Sequence, residues 1–314
     1  MKNIVVIGGG TGTFTVLSSL KKYPQLHLSA IVSMADDGGS TGKLRDELGV
    51  LPPGDVRRGL VALSKSDKLM RDLINYRFKD GCLGGHNFGN LLISVLEKIT
   101  GDFTKAIMKA GEILAIRGQV IPVTCDKTRL CGELENGKII KGETNIDIPK
   151  HDGRLRIKRV FLRPQARATS EALKAIKEAH LIVIGPGDLY TSILPNLLVK
   201  GIGRAIAGSR AKKIYLCNLM TKFGETNGFK AIDFVKVIEN YLGKNVLDII
   251  VYNNHFPSQK RLAKYFKLNS QVVKFNKKDF EKLPIRFIGA NLITEKGLIR
   301  HNQEKLAKTI LKLI

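Results

Sequence analysis

Residues 4–7, Ile-Val-Val-Ile, form an unbroken run of branched apolar side chains. Such a run predicts a strand buried on both faces. It stops at Gly8-Gly9-Gly10-Thr11-Gly12-Thr13, and Phe14, Leu17 and Leu20 then fall on roughly one helical face. The same order returns at residues 181–184, which run into Gly185-Pro186-Gly187-Asp188-Leu189-Tyr190-Thr191-Ser192-Ile193. Further strands are predicted over 28–34, 213–218 and 246–252, and helices over 67–78, 91–99, 103–116, 171–179, 229–242 and 304–314. This alternation predicts an α/β fold. Residues 119–162 interrupt it with short alternating runs around Glu135-Asn136-Gly137-Lys138, a type I′ hairpin signal, and predict a small β-rich insertion.

The glycine turns carry the candidate chemistry. Glycine leaves no Cβ between backbone and ligand, and a helix N-terminus presents unpaired N–H groups and a partial positive charge. Gly9, Gly10, Thr11 and Gly12 are therefore placed to take a phosphate. The third glycine of a dinucleotide fingerprint is missing, since Thr13 or Thr15 stands there, which argues against an NAD-dependent oxidoreductase. No P-loop lysine follows either. A second glycine-rich loop, Ala35-Asp36-Asp37-Gly38-Gly39-Ser40-Thr41-Gly42, holds two acids at the end of the second strand. Asp36 and Asp37 could bind a ribose, hold Mg²⁺, or merely bond local backbone in a turn.

Beyond Pro52-Pro53-Gly54, Asp55 reads as a helix N-cap. Arg57 and Arg58 then lie in the first turn, where the helix dipole disfavours cations. They are expected to face an anion or to pair with Asp46 or Glu47. His86 and Asn87 open another helix after two glycines. The loops after the first strand and after residue 184 could face each other across one crevice, because ligands of open α/β sheets gather at the carboxyl ends of strands. That crevice would hold Gly185, Gly187, Asp188, Tyr190 and Ser192, with Asn218 at the end of the next strand. Arg300 precedes the last helix and could reach an anion.

Bulk properties narrow the classes. The chain has 314 residues, 43% of them apolar, enough for one large α/β domain or two smaller ones. The net charge of +24 favours anionic partners. The lysines are spread along the chain, Trp is absent, and no nucleic-acid-binding motif appears, so no specific nucleic-acid partner is expected. Cys82, Cys125, Cys131 and Cys217 form no Cys-x-x-Cys pair, which gives no support for structural zinc or a disulfide framework. No apolar run approaches a membrane span and the first residues do not read as a signal peptide, so a cytoplasmic location is expected.

Taken together, Gly8–Gly12, Ala35–Ser40, Leu51–Arg57, Gly85–Asn90, Gly185–Ser192 and Cys217–Thr221 occur in the order of the bacterial gluconeogenesis factor (YvcK-like) family. The chain resembles that group, the sister of the 2-phospho-L-lactate transferases (CofD-like), over essentially its whole length. The resemblance implies a single domain over 1–314 with a three-layer, Rossmann-like α/β/α sheet. It also implies a UDP-sugar-binding regulator, of UDP-N-acetylglucosamine type, needed for cell shape and wall synthesis during gluconeogenic growth. A cell-wall regulatory protein partner and a homo-oligomer are further expectations. In this reading Gly9, Gly10, Thr11 and Gly12 take the nucleotide phosphates. Asp36 and Asp37 match the acidic motif near the transferase metal. Gly38, Ser40, Asp55, Arg57, Asn87, Gly185, Gly187, Asp188, Tyr190, Ser192, Asn218 and Arg300 complete the pocket. The alternative is a Mg²⁺-dependent transferase in which Asp36 and Asp37 are catalytic.

Overall fold

A computed structural model describes residues 1–314. The chain enters the middle of a sheet with β1 (Lys2–Gly8), moves outward through β2 (Leu26–Val32), and reaches one edge at β3 (Gln119–Pro122). A small antiparallel sheet follows, made of β4 (Arg129–Leu134), β5 (Ile139–Lys141) and β6 (Ile157–Arg163) in the order β5-β4-β6. The chain then returns beside β1 with β7 (Leu181–Ile184) and runs to the other edge through β8 (Lys212–Leu216), β9 (Ile249–Asn253) and β10 (Arg286–Ala290). The seven-stranded sheet has the order β10-β9-β8-β7-β1-β2-β3, and every pair in it is parallel. This is the expected Rossmann-like α/β architecture, with helices flanking the sheet. The winding reverses between β1 and β7, which makes that boundary the topological switch point.

Burial explains the pattern of the strands. Ile4 to Ile7 and Leu181 to Ile184 are almost fully buried, as strands covered by helices on both faces must be. The helices that matter for the site are α1 (Gly10–Leu20), α2 (Gly39–Leu48), α3 (Gly54–Leu63), α4 (Lys68–Asn75), α5 (Phe88–Thr100), α6 (Phe103–Ile113) and the short α7 (Glu143–Asp147). Asp67, Asn87 and Asp102 cap α4, α5 and α6 by accepting from backbone N–H groups. One apolar cluster of 75 buried residues includes Leu130, Leu134, Val160 and Leu162, so the small sheet is packed into the core rather than appended to it.

Several elements differ from the sequence expectation. Residues 119–122 do not open the β-rich insertion; they form β3, the edge of the main sheet, and the insertion starts near Arg129. The hairpin at 135–138 forms, but only Gly137 has positive φ (82°), and its amide donates to the Leu134 carbonyl. That is a type I turn closed by a left-handed glycine, not type I′. The glycine-rich stretch after β2 is half loop and half helix, since α2 begins at Gly39. Among the elements that escaped prediction are two from the C-terminal third. β10 is a half-exposed edge strand and the helix Gln259–Phe266 buries no residue, so neither carries a clean apolar period.

Candidate functional site

The site is built where β1 and β7 end. Gly9 caps α1 in extended backbone, and Gly10 has φ of 63°, a conformation that favours glycine. The Gly10 amide donates to Asp55 Oδ1 at 2.9 Å, and Arg58 Nη1 donates to the same oxygen at 3.3 Å. Asp55 is therefore not the cap of α3, a position held by Pro53; it ties α3 to the start of α1. A Cβ on Gly12 would overlap the Pro186 carbonyl oxygen, and one on Gly187 would lie 3.2 Å from the Ser192 Cβ. These glycines let the loops after β1 and β7 meet.

A cavity of about 480 Å³ opens over this junction. Gly10, Thr11, Asp188, Thr191 and Ser192 form its floor, and Asp36 with Gly38, Gly39, Ser40 and Thr41 forms one wall. Gly54, Asp55, Arg57 and Arg58 of α3 form another, joined by Arg77 and Asn90. Glu143, Thr144, Asp147 and Ile148 reach in from the small sheet, and Ile148 is the single apolar residue of the lining.

The charges are segregated. Arg57 is buried, with Nε donating to Asn90 Oδ1 at 3.0 Å and Nη1 to Asn75 Oδ1 at 2.6 Å. Burial, with the neighbouring guanidiniums of Arg58 and Arg77, presses it down to about 10. Three arginines converging in this way favour an anion between them. The acids behave in the mirror sense. Burial, reinforced by Asp55, pushes the Asp36 carboxyl up to about 6. Burial, with Asp36 and Asp147 beside it, pushes Glu143 up to about 9. Buried carboxyls gathered at one cavity suit a divalent cation, which takes oxygen ligands. Asp36, Asp55 and Glu143 all border this cavity. The cluster Asp147, Asp188 and Glu225 does not fit such a cation, because the Lys222 ammonium already bonds all three.

A cleft of about 220 Å³ continues round the N-terminus of α1. Thr11 and Asp188 belong to both spaces, and Gly12, Gly187, Asn218 and Arg300 line the cleft. His301 lies there too, held at about 4 and so neutral by burial.

Other expected site residues serve the frame. Asp37 does not join Asp36: its two oxygens accept from the Glu143 and Thr144 amides at 3.2 and 2.9 Å and so anchor α7 over the cavity. Asn87 caps α5 and donates to the Asn75 and Tyr76 carbonyls. Tyr190 is buried, its hydroxyl 3.5 Å from the Ile157 carbonyl oxygen, and it lines a different cavity. Gly185 continues the sheet, donating to the Ile7 carbonyl. Asn218 donates to the Gly187 carbonyl at 2.8 Å and accepts from the Tyr215 hydroxyl at 2.9 Å. Arg77, Asn90, Glu143, Thr144 and Asp147 were not expected. The last three lie in the insertion, where no local motif marks them; Asn90 could have been noticed as the second Asn of the Gly85–Asn90 motif.

The profile of the family described as 2-phospho-L-lactate transferase CofD matches residues 4–293. The chain belongs to the CofD family. Within it, the chain is 44% identical over 314 residues to the gluconeogenesis factor of Halalkalibacterium halodurans, covering 99% of this chain and 96% of that one. It is 43% identical over 315 residues to the gluconeogenesis factor of Listeria innocua, covering 99% and 95%. Crystal structures of a Bacillus halodurans protein superpose with TM-scores of 0.94 and 0.95 at 44% identity, covering 99% of both chains. The CofD-family relationship to proteins named gluconeogenesis factor matches the resemblance drawn from the six motifs. No helix is long and apolar enough to cross a membrane.

Proposed function

We propose that this chain binds a UDP-sugar of the UDP-N-acetylglucosamine type and acts as a regulator of cell shape and wall synthesis during gluconeogenic growth. One observation carries the reading: the first turn of α1 and the arginines 57, 58 and 77 border the same polar cavity. A diphosphate there meets helix amides on one side and guanidiniums on the other. The adjoining cleft, with Thr15, Asn218 and Arg300, leaves room for the rest of the nucleotide. The relatives named gluconeogenesis factor support the gluconeogenic part of the reading.

The test is calorimetric titration with UDP-N-acetylglucosamine, UDP-glucose, GDP and NAD, each with and without Mg²⁺. Saturable binding of a UDP-sugar that disappears in Gly10→Val supports the proposal. Binding of none of the four sinks it.

A second reading is Mg²⁺-dependent phosphate-ester transfer, favoured by the elevated Asp36 and Glu143 carboxyls and by the family's description. A bound Mg²⁺ would supply charge neutralisation at the phosphates. The chain's own part would be to orient the diphosphate on Gly10 to Gly12 and the arginines, and to keep water out beneath α7. Asp36→Asn separates the readings. A transferase loses turnover, whereas a binder keeps its UDP-sugar affinity within a few-fold.

A further inference from the structure

A different cavity, of about 270 Å³, shares no residue with the one above. It lies between the C-terminal turn of α2, the segment Val50–Pro52 and the strands β4 and β6 of the small sheet. Its charged lining is Arg45, Lys127, Arg129 and Arg163 against one carboxylate, Asp46. Asp46 Oδ1 is already shared, 3.3 Å from Arg45 Nε and 3.1 Å from Arg129 Nη2. Arg45 Nη1 is buried and has no hydrogen-bond partner. Lys127 and Arg163 form no ion pair. An orphaned buried donor beside cations without ion pairs draws an anion, since an unmet buried donor is costly. The excess of positive charge favours a phosphate over a single carboxylate. Met34, Val50 and Leu51 add an apolar floor, which a bare ion would not use. The volume falls just below the ~300–1,000 Å³ of drug-sized pockets, which suits a small molecule rather than a nucleotide.

We propose that this cavity is a second ligand site, one that takes a small phosphorylated metabolite. Its position gives it a regulatory reach. Helix α2 places Gly39, Ser40 and Thr41 in the main cavity at one end and Arg45 in the second cavity near the other. A ligand that fixes Arg45 also fixes the rod that carries Gly39, Ser40 and Thr41 of the main cavity.

The test is calorimetric titration of the full chain with sn-glycerol 3-phosphate, with glycerol and inorganic phosphate as comparisons. The expected result is saturable binding of the ester. It should be at least ten-fold weaker in Lys127→Gln, and separately in Arg163→Gln, and unchanged in Arg58→Gln, which alters only the main cavity. Circular-dichroism melting checks each variant's fold, and the two variants lie in different segments, so a misfolded one leaves the other informative. No binding by the parent chain overturns the proposal. So does a loss in Arg58→Gln but not in Lys127→Gln, which places the anion in the main cavity. Inorganic phosphate binding as tightly as the ester overturns the claim of a metabolite site. Hydrogen exchange over residues 39–48 should slow on binding; unchanged exchange overturns the coupling through α2.

Discussion

The loops after β1 and β7 are written in the same residue types and do different physical work. After β1, Gly9 and Gly10 open an α-helix of 11 residues whose first turn borders both cavities. After β7, Leu189–Ile193 winds as a single π-turn whose donors are spent inside the protein. The Tyr190 amide donates to Glu225 Oε2 at 3.2 Å, Thr191 Oγ1 to Glu225 Oε1 at 3.3 Å, and the Ser192 and Ile193 amides to the Asp188 carbonyl. One loop opens onto both cavities; the other is a wedge that holds the first in place. Glycine turns at neighbouring strand ends thus need not be two halves of one phosphate site.

Four substitutions put this division to the test, and the largest effect falls where the loops touch. Gly12→Ala drives a Cβ into the Pro186 carbonyl, backbone against backbone. It should destabilise by about 3 kcal/mol or more, read by chemical denaturation; a loss under about 1 kcal/mol would mean the loops are not wedged. Glu225→Ala removes the acceptor for the β7 turn and a counter-charge of Lys222, 3.0 Å away. Breaking a buried pair of this kind costs about 3 kcal/mol. Ligand affinity should fall only through stability, and should recover under conditions where the variant is fully folded.

Asp55→Asn should act the other way. It loosens the Gly10 amide and Arg58 at a stability cost of about 1 kcal/mol and changes nucleotide affinity at least ten-fold, measured by calorimetry. The smallest effect concerns Glu143. The folded state holds its proton up to about 9, against an ordinary value of 4.5. Between those values the native state binds more protons than the unfolded chain, so stability falls as pH rises through that window. Glu143→Gln should flatten the slope and leave the variant more stable than the parent at pH 8 by at least about 1 kcal/mol. If the carboxylates hold Mg²⁺, millimolar Mg²⁺ should narrow that difference by stabilising the parent alone.

Much of the frame is legible without coordinates. The uniform burial of β1 and β7 follows from runs of branched apolar residues, because only strands covered on both faces tolerate them. The start of α1 follows from glycines that precede a helical spacing. Legibility ends where a residue's partner lies far along the chain. Asp55 reads locally as a cap, yet its acceptor oxygen serves Gly10, 45 residues away. Asp36 and Asp37 read as a pair, yet alternate backbone direction sends one into the cavity and the other to the amides of α7. Glu143 and Asp147 carry no local sign of function, because the contribution of the insertion depends on where β4 and β6 pack.

The sequence by itself determined the sheet's buried strands, the glycine turn that ends β1 and the family, all of which rest on short-range spacing and residue type. The tertiary structure alone decided which polar groups face the cavity, which are consumed in holding it open, and how arginines and carboxyls are set apart within it. Those outcomes depend on packing between segments more than a hundred residues apart in some cases, such as Asp37 with Thr144, about which local pattern has no information to offer.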